Sequence, residues 1–282
     1  MKIKRSILLT SLFVCVGFSE SLIAFDWDAF RVCADPNNMP LSNENKQGYE
    51  NRIAEIFAAD LGVPLEFTWF PQRRGFIRNT LRADDPMRDG YKCDVVMGLP
   101  KGFELAITTK PYFRSTYALV FRKHQEGLEN ITSAEDFLNL DENIKKQLRI
   151  GIFSQTAAAT WLLRNGLMKQ VVPFTTMSGD PAEYPGQIIE RELIGGAIDV
   201  AILWGPIAGY FVDHSDKVEL TMVPVFSEPG IKFDFAISMG VRFGDGERKQ
   251  ALEELIDRHA AEIETVLKEY NVPLLAEDGS LL

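Results

Sequence analysis

The sequence predicts an α/β protein of two lobes, each built on a mainly parallel sheet flanked by helices. Short apolar runs typical of buried strands alternate with amphipathic helical stretches in both halves of the chain. Two extended segments, 117–122 and 223–235, can each cross from one α/β unit to the other, and no Gly/Ser-rich linker separates the units. Two such crossings would form a hinge between the lobes.

The first half of the chain shows the strand–helix–strand order most clearly. Its apolar positions repeat with helical spacing over residues 48–61, where Gly62 provides the stop signal. Strand, helix and strand in succession favour a parallel sheet with crossover helices. The elements predicted here are strands at 30–34, 65–70 and 94–97 and helices at 48–61 and 75–81.

The second half repeats this order. Thr132 and Glu135 have the spacing of a capping box, which predicts a helix that contains Phe137. Ser154 is a candidate cap for the helix that follows the next strand. The strands predicted here are 148–153 and 198–203. The predicted helices are one that ends at residue 163, one at 188–193 and one long amphipathic helix at 247–270.

The N-terminus has the order of a secretory signal peptide. A basic start, Lys2 to Arg5, precedes an uncharged apolar stretch at 7–18, and small residues including Ser21 follow. The apolar stretch is shorter than the ~20 residues of a membrane-spanning helix. We therefore expect cleavage after about residue 21 and a periplasmic protein without stable membrane insertion; an uncleaved anchor is the alternative.

The charge balance limits the kinds of partner. Forty acidic residues against 30 basic ones give a net charge of −10, which argues against nucleic acid as a partner. Two cysteines, Cys33 and Cys93, remain after signal cleavage. An oxidising compartment favours their pairing, but two cysteines are too few for a disulfide scaffold or a structural zinc site.

No pattern of catalytic or metal-binding residues stands out. His124, His214 and His259 are far apart and lack metal-ligand spacing. The chain also lacks a G-x-S-x-G elbow and a phosphate-binding P-loop. The sequence therefore predicts no catalytic residue, no metal site, no cofactor and no enzyme activity.

Candidate binding residues follow the predicted strands, because ligands in open α/β sheets bind at the carboxyl ends of strands. Each has a competing structural interpretation: turn formation at Asp35, a surface ion pair at Arg73, helix capping at Ser154, or core packing for the tryptophans. The predicted ligand or partner cleft comprises Asp35, Asn37, Asn38, Trp69, Gln72, Arg73, Arg74, Gly98, Ser154, Gln155, Thr156 and Trp204.

Four segments resemble bacterial solute-binding protein family 3, the type II periplasmic binding proteins. They are R-V-C-A-D-P-N-N-M-P-L-S-N at 31–43, G-Y-E-N-R-I-A-E-I-F-A at 48–58, C-D-V-V-M-G at 93–98 and T-T-K-P-Y-F-R-S-T-Y at 108–117. The segment W-F-P-Q-R-R-G-F-I-R-N-T-L at 69–81 is similar to one branch, the quinoprotein dehydrogenase-associated proteins of the MxaJ/XoxJ type in methanol oxidation.

The resemblance spans essentially the whole chain after the signal peptide. It implies a two-lobed periplasmic binding protein clamshell with two hinge crossings, lobe one being 22–117 and 228–282 and lobe two 118–227. It also implies that the strands of Cys33 and Cys93 are neighbours, which predicts a disulfide. A Cα separation well above ~7 Å would rule that bond out.

The chain departs from the amino-acid binders of the family at two places. Those proteins hold the ligand carboxylate with an arginine after the third strand of lobe one, where this chain has Gly98 and no arginine through Phe103. They hold the ammonium with an aspartate at the end of a lobe-two strand, where this chain has Trp204 or Gly205. Burying charges without partners is costly, so we expect no tight binding of free amino acids.

Three functions are compatible with these observations. The branch resemblance favours an accessory protein that assists assembly or activation of a periplasmic quinoprotein (methanol) dehydrogenase. The alternatives are the substrate-binding component of an ABC importer, which would bind a small non-amino-acid solute and a permease, and a dehydratase or lyase built on the clamshell.

Overall fold

The computed structural model describes residues 27–175, 180 and 182–282. The predicted signal peptide and its cleavage site lie outside the described residues. The first sheet contains, in spatial order, β4 (Leu65–Trp69), β1 (Phe30–Ala34), β5 (Val95–Pro100), β12 (Phe235–Val241) and β6 (Ile107–Ser115). The second contains β11 (Leu220–Val225), β7 (Tyr117–Arg122), β10 (Val200–Trp204), β8 (Ile150–Phe153) and β9 (Val171–Phe174).

The two sheets have the same plan. In each, three neighbouring strands are parallel and one strand, β12 or β7, runs antiparallel to both of its neighbours. Four strands therefore share one direction in each sheet, which confirms the predicted mainly parallel architecture. A small hairpin of β2 (Asn37–Asn38) and β3 (Ser42–Asn43) follows β1.

Helices cover the sheets. They are α1 (Tyr49–Leu61), α2 (Phe76–Asn79), α3 (Ala134–Leu138), α4 (Glu142–Gln147), α5 (Ala157–Arg164), α6 (Gly205–Asp213), α7 (Gly246–Arg258) and α8 (Ala260–Glu269), with a 3₁₀ turn at Met168–Gln170 and a π-helical turn at Ile188–Leu193. Gly62 ends α1 with φ 68°, a left-handed conformation that glycine adopts readily. Within the described residues, no helix is long and apolar enough to cross a membrane.

Alternating burial explains why the central strands of the second sheet are apolar along their whole length. Leu119 and Phe121 of β7 pack into a core on one face, whereas Ala118 and Val120 pack into a second core on the other face. A strand covered on both faces has no side that favours polar residues. The continuous apolar run of β10 has the same cause.

The single helix predicted over 247–270 is wrong, because the chain breaks between α7 and α8 at His259. The His259 ring packs against Phe57 with centroids 5.9 Å apart, and its Nδ1 lies 2.5 Å from a Glu262 carboxylate oxygen. The change of direction lets Ile263 and Val266 join the core beside α1. Tertiary packing thus overrides a continuous helical pattern.

Two predicted caps are also wrong. The capping box of α3 pairs Ser133 with Asp136, not Thr132 with Glu135, since the Asp136 amide donates to Ser133 Oγ at 3.0 Å. Ser154 does not cap α5. The residue at that N-cap is Thr156, whose hydroxyl instead donates to the Phe153 carbonyl at 2.8 Å.

The chain passes between the sheets twice, after β6 and after β11. At these crossings the Gly205 amide donates to the Thr116 carbonyl at 2.9 Å. Close by, Asn271 Nδ2 donates to the Gly209 carbonyl at 3.1 Å, and a Cβ on Gly209 would lie 1.8 Å from the Asn271 carbonyl oxygen. The C-terminal segment therefore packs directly on α6. The lobe boundaries expected from the resemblance lie at these crossings and stay predictions.

The predicted disulfide is confirmed. Cys33 in β1 and Cys93, just before β5, are bonded with a Cα–Cα distance of 5.4 Å. Both are buried, together with Phe76, Ile77 and Leu81 of the segment that carries α2. The bond ties that segment to the first sheet.

Candidate functional site

A cavity of about 370 Å³ lies between the two sheets, at the carboxyl ends of their parallel strands. Residues from both lobes line it. Those from lobe one are Asp35, Asn37, Asn38, Gln72 and Arg73. Those from lobe two are Phe153, Pro173, Phe174, Thr175, Glu183, Tyr184, Pro185, Gln187, Ile188, Arg191 and Glu192.

Asp35 organises the lobe-one wall. It follows β1 directly, and its two carboxylate oxygens accept hydrogen bonds from the Asn37 amide at 2.8 Å and the Gln72 amide at 2.5 Å. Asn38 Nδ2 in turn donates to Gln72 Oε1 at 3.1 Å. The two loops after β1 and β4 are therefore held together as one polar surface.

Asn38 keeps one polar atom available. Its Oδ1 is buried without a hydrogen-bond partner among the described residues. An unsatisfied buried acceptor costs about 1–3 kcal/mol. A donor that entered the cavity and reached this atom would remove that cost.

Arg73 links the lobes across the cavity. Its guanidinium donates to the backbone carbonyl of Asp180, which belongs to the segment between β9 and the π-helical turn. Arginine can donate to a carboxylate or phosphate with two parallel N–H groups. In this structure the partner is a carbonyl of the opposite lobe, so the side chain bridges the cleft.

The lobe-two wall is aromatic at its base. Phe153 and Phe174 end β8 and β9, and the Ser154 amide donates to the Phe174 carbonyl at 2.9 Å. Tyr184 stacks on Phe211 with centroids 6.2 Å apart and an interplanar angle of 22°. Burial and the hydroxyl's hydrogen bond to Glu190 raise the pKa of Tyr184 to about 12, so the phenol stays neutral.

The cavity brings together Asp35, Asn37, Asn38, Gln72 and Arg73 but not the other residues predicted for the cleft. The remaining seven do not line this cavity. Trp69 stacks on Phe67 with centroids 4.8 Å apart, and Trp204 packs against Tyr117 and Phe235 at the hinge. The others, which do not line the cavity, are Arg74, Gly98, Ser154, Gln155 and Thr156.

Gly98 is backed by a buried acid. A Cβ at residue 98 would lie 2.2 Å from Glu50 Oε1, so a larger residue there would require the Glu50 side chain to move. Glu50 lies in the first turn of α1, and its Oε1 has no hydrogen-bond partner within the described part of the chain. Burial, with a contribution from the charge of Asp35, raises the pKa of Glu50 to about 8. The stretch 98–103, where the amino-acid binders have their arginine, thus begins against a buried neutral acid.

Most of the lobe-two wall was not predicted. Phe174, Tyr184, Gln187 and Arg191 follow or belong to β9 and the π-helical turn, and no strand was predicted at Val171–Phe174. The Val-Val-Pro-Phe run was the available signal, since a β-branched pair followed by proline suits an edge strand. The carboxyl end of such a strand would have pointed to the cavity.

No protein-family model matches the chain. The crystal structure of the periplasmic binding protein XoxJ from Methylobacterium extorquens AM1 is similar, with 35% identity and a TM-score of 0.69 over 88% of this chain and 100% of that one. The chain belongs to the XoxJ and MxaJ family of periplasmic binding proteins.

Two further relatives agree with this family. The crystal structure of MxaJ from Methlophaga aminisulfidivorans MPT is 25% identical, with a TM-score of 0.71 over 88% of this chain and all of that one. Protein MoxJ of Methylorubrum extorquens AM1 is 28% identical over 265 residues, which are 89% of this chain and 83% of MoxJ. These similarities confirm the family and the clamshell fold expected from the sequence.

Proposed function

We propose that this chain is a periplasmic accessory protein that binds a quinoprotein methanol dehydrogenase in its interlobe cleft and assists assembly or activation of that enzyme. The observation that carries the proposal is the cleft itself. The cavity combines amide side chains of both lobes with aromatic side chains of lobe two and several charged groups, but it has neither charge clamp at the places used by the amino-acid binders. Such a lining suits a loop or terminus of a protein better than a small zwitterion.

Gly98 and Gly205, which lie at the two clamp places, both have close neighbours in the structure. At Gly98 the space of a side chain is taken by Glu50. At Gly205 a Cβ would lie 2.2 Å from the Thr116 carbonyl oxygen and 2.5 Å from Pro273 Cγ. A side chain at Gly205 would require the hinge backbone to move, and a side chain at Gly98 would require the Glu50 side chain to move.

The cleft residues then contribute contacts of three kinds. Phe153, Phe174 and Tyr184 offer apolar area, which anchors many protein interfaces. Asn38 and Gln72 offer amide groups for an uncharged backbone. Arg73, now bonded to a carbonyl of lobe two, can exchange that bond for one to a partner when the cleft opens.

Export through the N-terminal signal is part of the proposal. The mature protein should begin between Glu20 and Asp26, because the basic, apolar and small residues occur in the order of a cleaved signal. N-terminal sequencing of the protein from the periplasmic fraction measures this directly. Soluble protein that still begins with Met1 would contradict it.

An importer of a small uncharged solute is the second candidate. Two hinge crossings remain, and a cavity of about 370 Å³ falls within the range of small-molecule sites. This function would need a permease and no dehydrogenase.

Deletion of the gene separates the two candidates. We expect the deletion strain to contain dehydrogenase polypeptide whose specific activity in extracts is low even with cofactor and metal supplied. Wild-type protein and Gln250→Ala, a control on the exposed side of α7, should restore activity, whereas Gln72→Ala in the cavity should restore it incompletely. Full dehydrogenase activity combined with failure to import one solute would refute the accessory function.

A further inference from the structure

The surface of lobe one carries a row of exposed arginines, here called the arginine row: Arg74, Arg78 and Arg82. They lie on the segment between β4 and β5, and no acidic residue occurs between Glu66 and Asp84. Backbone hydrogen bonds continue the turns of α2 on both sides, from the Phe76 amide to the Arg73 carbonyl and from the Arg82 amide to the Ile77 carbonyl. All three arginine side chains are exposed, whereas Phe76, Ile77 and Leu81 of the same segment are buried.

None of the three arginines has a carboxylate within 4.0 Å among the described residues. This is unusual within the chain, which carries a net charge of −10 and whose other arginines mostly face acids. Arg31, Arg242 and Arg248, for example, all lie within 3.6 Å of Asp94. The arginine row is therefore a local positive surface on an acidic protein.

The base of the arginine row is rigid. Phe76, Ile77 and Leu81 on the opposite side of the segment are buried beside the Cys33–Cys93 disulfide. Arg242 Nη1 donates to the carbonyls of Leu81 at 3.2 Å and Cys93 at 2.6 Å. A surface fixed in this way loses little conformational entropy when a partner binds.

Exposed apolar side chains continue the row at its far end. The Arg82 guanidinium lies over the Phe243 ring at 5.2 Å from the centroid, and Arg82 Nη2 donates to the Leu105 carbonyl at 2.6 Å. Phe243 is 60% exposed and Leu105 49% exposed. Arginine beside exposed aromatic and aliphatic groups is the composition of interface hot spots.

One end of the arginine row lies next to the interlobe cleft. Arg73, directly before Arg74, lines the interlobe cavity. Phe243 follows β12, whose end pairs with Ile107 at the opposite edge of the first sheet. The surface therefore runs from the rim of the cleft along the side of lobe one.

We propose that the arginine row, with Leu105 and Phe243 at its end, is a docking surface for an acidic patch on the surface of the partner protein. The inference rests on the proposed function, because it takes the partner to be the quinoprotein dehydrogenase. An acidic protein patch is favoured over a polyanion or an anionic membrane, since the net charge of the chain repels extended negative surfaces. Docking here would hold the partner while a segment of it enters the cleft.

Binding of the purified quinoprotein methanol dehydrogenase of the same organism tests the proposal, measured by biolayer interferometry in a series of salt concentrations. The row variant is Arg74→Gln/Arg78→Gln/Arg82→Gln. The control, Lys146→Gln/Lys169→Gln/Lys217→Gln, removes the same charge from exposed positions on lobe two. We expect the row variant to bind about tenfold or more weakly with a reduced salt dependence, and the control to bind like wild type. Circular dichroism melting of each variant shows whether it is folded. A charge-conserving variant, Arg74→Lys/Arg78→Lys/Arg82→Lys, should keep most of the affinity, because it retains the positive charge at all three positions.

The outcomes distinguish the two proposals. Equal binding of wild type and row variant overturns the docking surface and leaves the proposed function standing. Absence of binding by wild-type protein overturns both. Binding of wild type, but not of the row variant, to vesicles of phosphatidylglycerol and phosphatidylcholine would show that the surface contacts a membrane, and this also overturns the proposal.

Discussion

The two lobes are alike at the amino ends of their central strands and different at the carboxyl ends. Asp94 precedes β5 and Asp199 precedes β10, and their amides donate to the equivalent carbonyls of Arg31 and Arg149 at 2.9 and 2.8 Å. Each aspartate also accepts from an arginine at the end of the neighbouring antiparallel strand: Arg242 in lobe one at 2.6 Å and Arg122 in lobe two at 3.2 Å. These aspartate–arginine clusters have a structural role, because they lie at the amino ends of the strands, away from the cleft.

The carboxyl ends carry the differences. Gly98, within β5, lies against buried Glu50, whereas Gly205 begins α6 against the backbone of the hinge. Ligands of such sheets bind at this edge. Acid–arginine clusters thus stabilise the fold at the amino ends of the strands. The carboxyl ends, which face the cleft, can therefore differ from those of the amino-acid binders without loss of these clusters.

The largest expected effect comes from the aspartate clusters. Asp94 is 7% exposed and faces three arginines, whereas Asp199 pairs in two hydrogen bonds with Arg149, which is 48% exposed. Breaking a buried ion pair on one side costs about 3–5 kcal/mol, so Asp94→Asn should lower the free energy of unfolding by roughly that amount. Asp199→Asn should cost only about 1–3 kcal/mol, because water solvates the exposed Arg149 side chain.

Urea denaturation of the two single variants measures this difference. Burial raises the pKa of Asp199, but the hydrogen bonds from Arg149 and Gln125 outweigh it and the pKa lies below its ordinary value. Stability from this aspartate is therefore present above the ordinary pKa near 3.8 and is lost as the pH falls through the lower folded value. Equal losses in the two variants at pH 7 would contradict the difference between the lobes.

The disulfide belongs to lobe one alone among the described residues, and its removal should have the next largest effect. The bond closes a loop with a sequence separation of 60. Disulfides of this kind contribute about 2–4 kcal/mol, mainly by restricting the unfolded chain. We expect Cys33→Ala/Cys93→Ala to lower the free energy of unfolding by that amount and to increase hydrogen exchange in the segment of the arginine row. Unchanged exchange there would show that the bond does not fix this surface.

Glu50 should give a smaller, pH-dependent effect. Its pKa of about 8 in the folded protein lies above the ordinary value of 4.5, so the folded state holds a proton that the unfolded state releases. Stability should therefore fall as the pH rises from about 4.5 through 8 and then level off. Glu50→Gln, which is neutral at every pH, should raise the Tm at pH 9, where the Glu50 carboxylate is ionised, and leave it nearly unchanged at pH 5. Parallel melting curves of the two proteins at all pH values would contradict the buried neutral acid.

The smallest expected signal is the absence of amino-acid binding. Isothermal titration with each of the twenty amino acids should show no micromolar affinity, because the stretch 98–103 has no arginine and Trp204 or Gly205 replaces the aspartate of the amino-acid binders. Micromolar binding of any one of them would show that Arg73, Arg191 or Asp35 has replaced the clamps.

Local apolar patterns predicted the central parallel strands of both sheets, whereas the disulfide was expected only from the family resemblance and the strands β6 and β9 were not predicted. The run Val95 to Met97 is apolar and ends at Gly98, and the buried run from Val200 has the same character. The break at His259 could not be predicted, since it depends on contacts with Phe57 and Glu262 from the folded state.

The candidate site also has a part that the sequence predicted and a part that it did not. The lobe-one wall followed from the turn at Asp35 and the segment at Gln72, where strand ends carry polar residues. The lobe-two wall did not, because Tyr184 and Gln187 lie in a segment without periodicity. Whether Arg78 has an acidic partner depends on the folded structure. The only related feature in the sequence is the stretch between Glu66 and Asp84, which contains no acidic residue.

Site-specific photocrosslinking in the native periplasm tests most directly whether the cleft contacts the dehydrogenase. A photoreactive amino acid would replace Tyr184 in the cavity and, as a control, Lys268 on the exposed side of α8. The account predicts that position 184 crosslinks to the quinoprotein dehydrogenase and that position 268 does not. Crosslinks from position 184 to a permease alone, with a small molecule recovered from the purified protein by mass spectrometry, would contradict it.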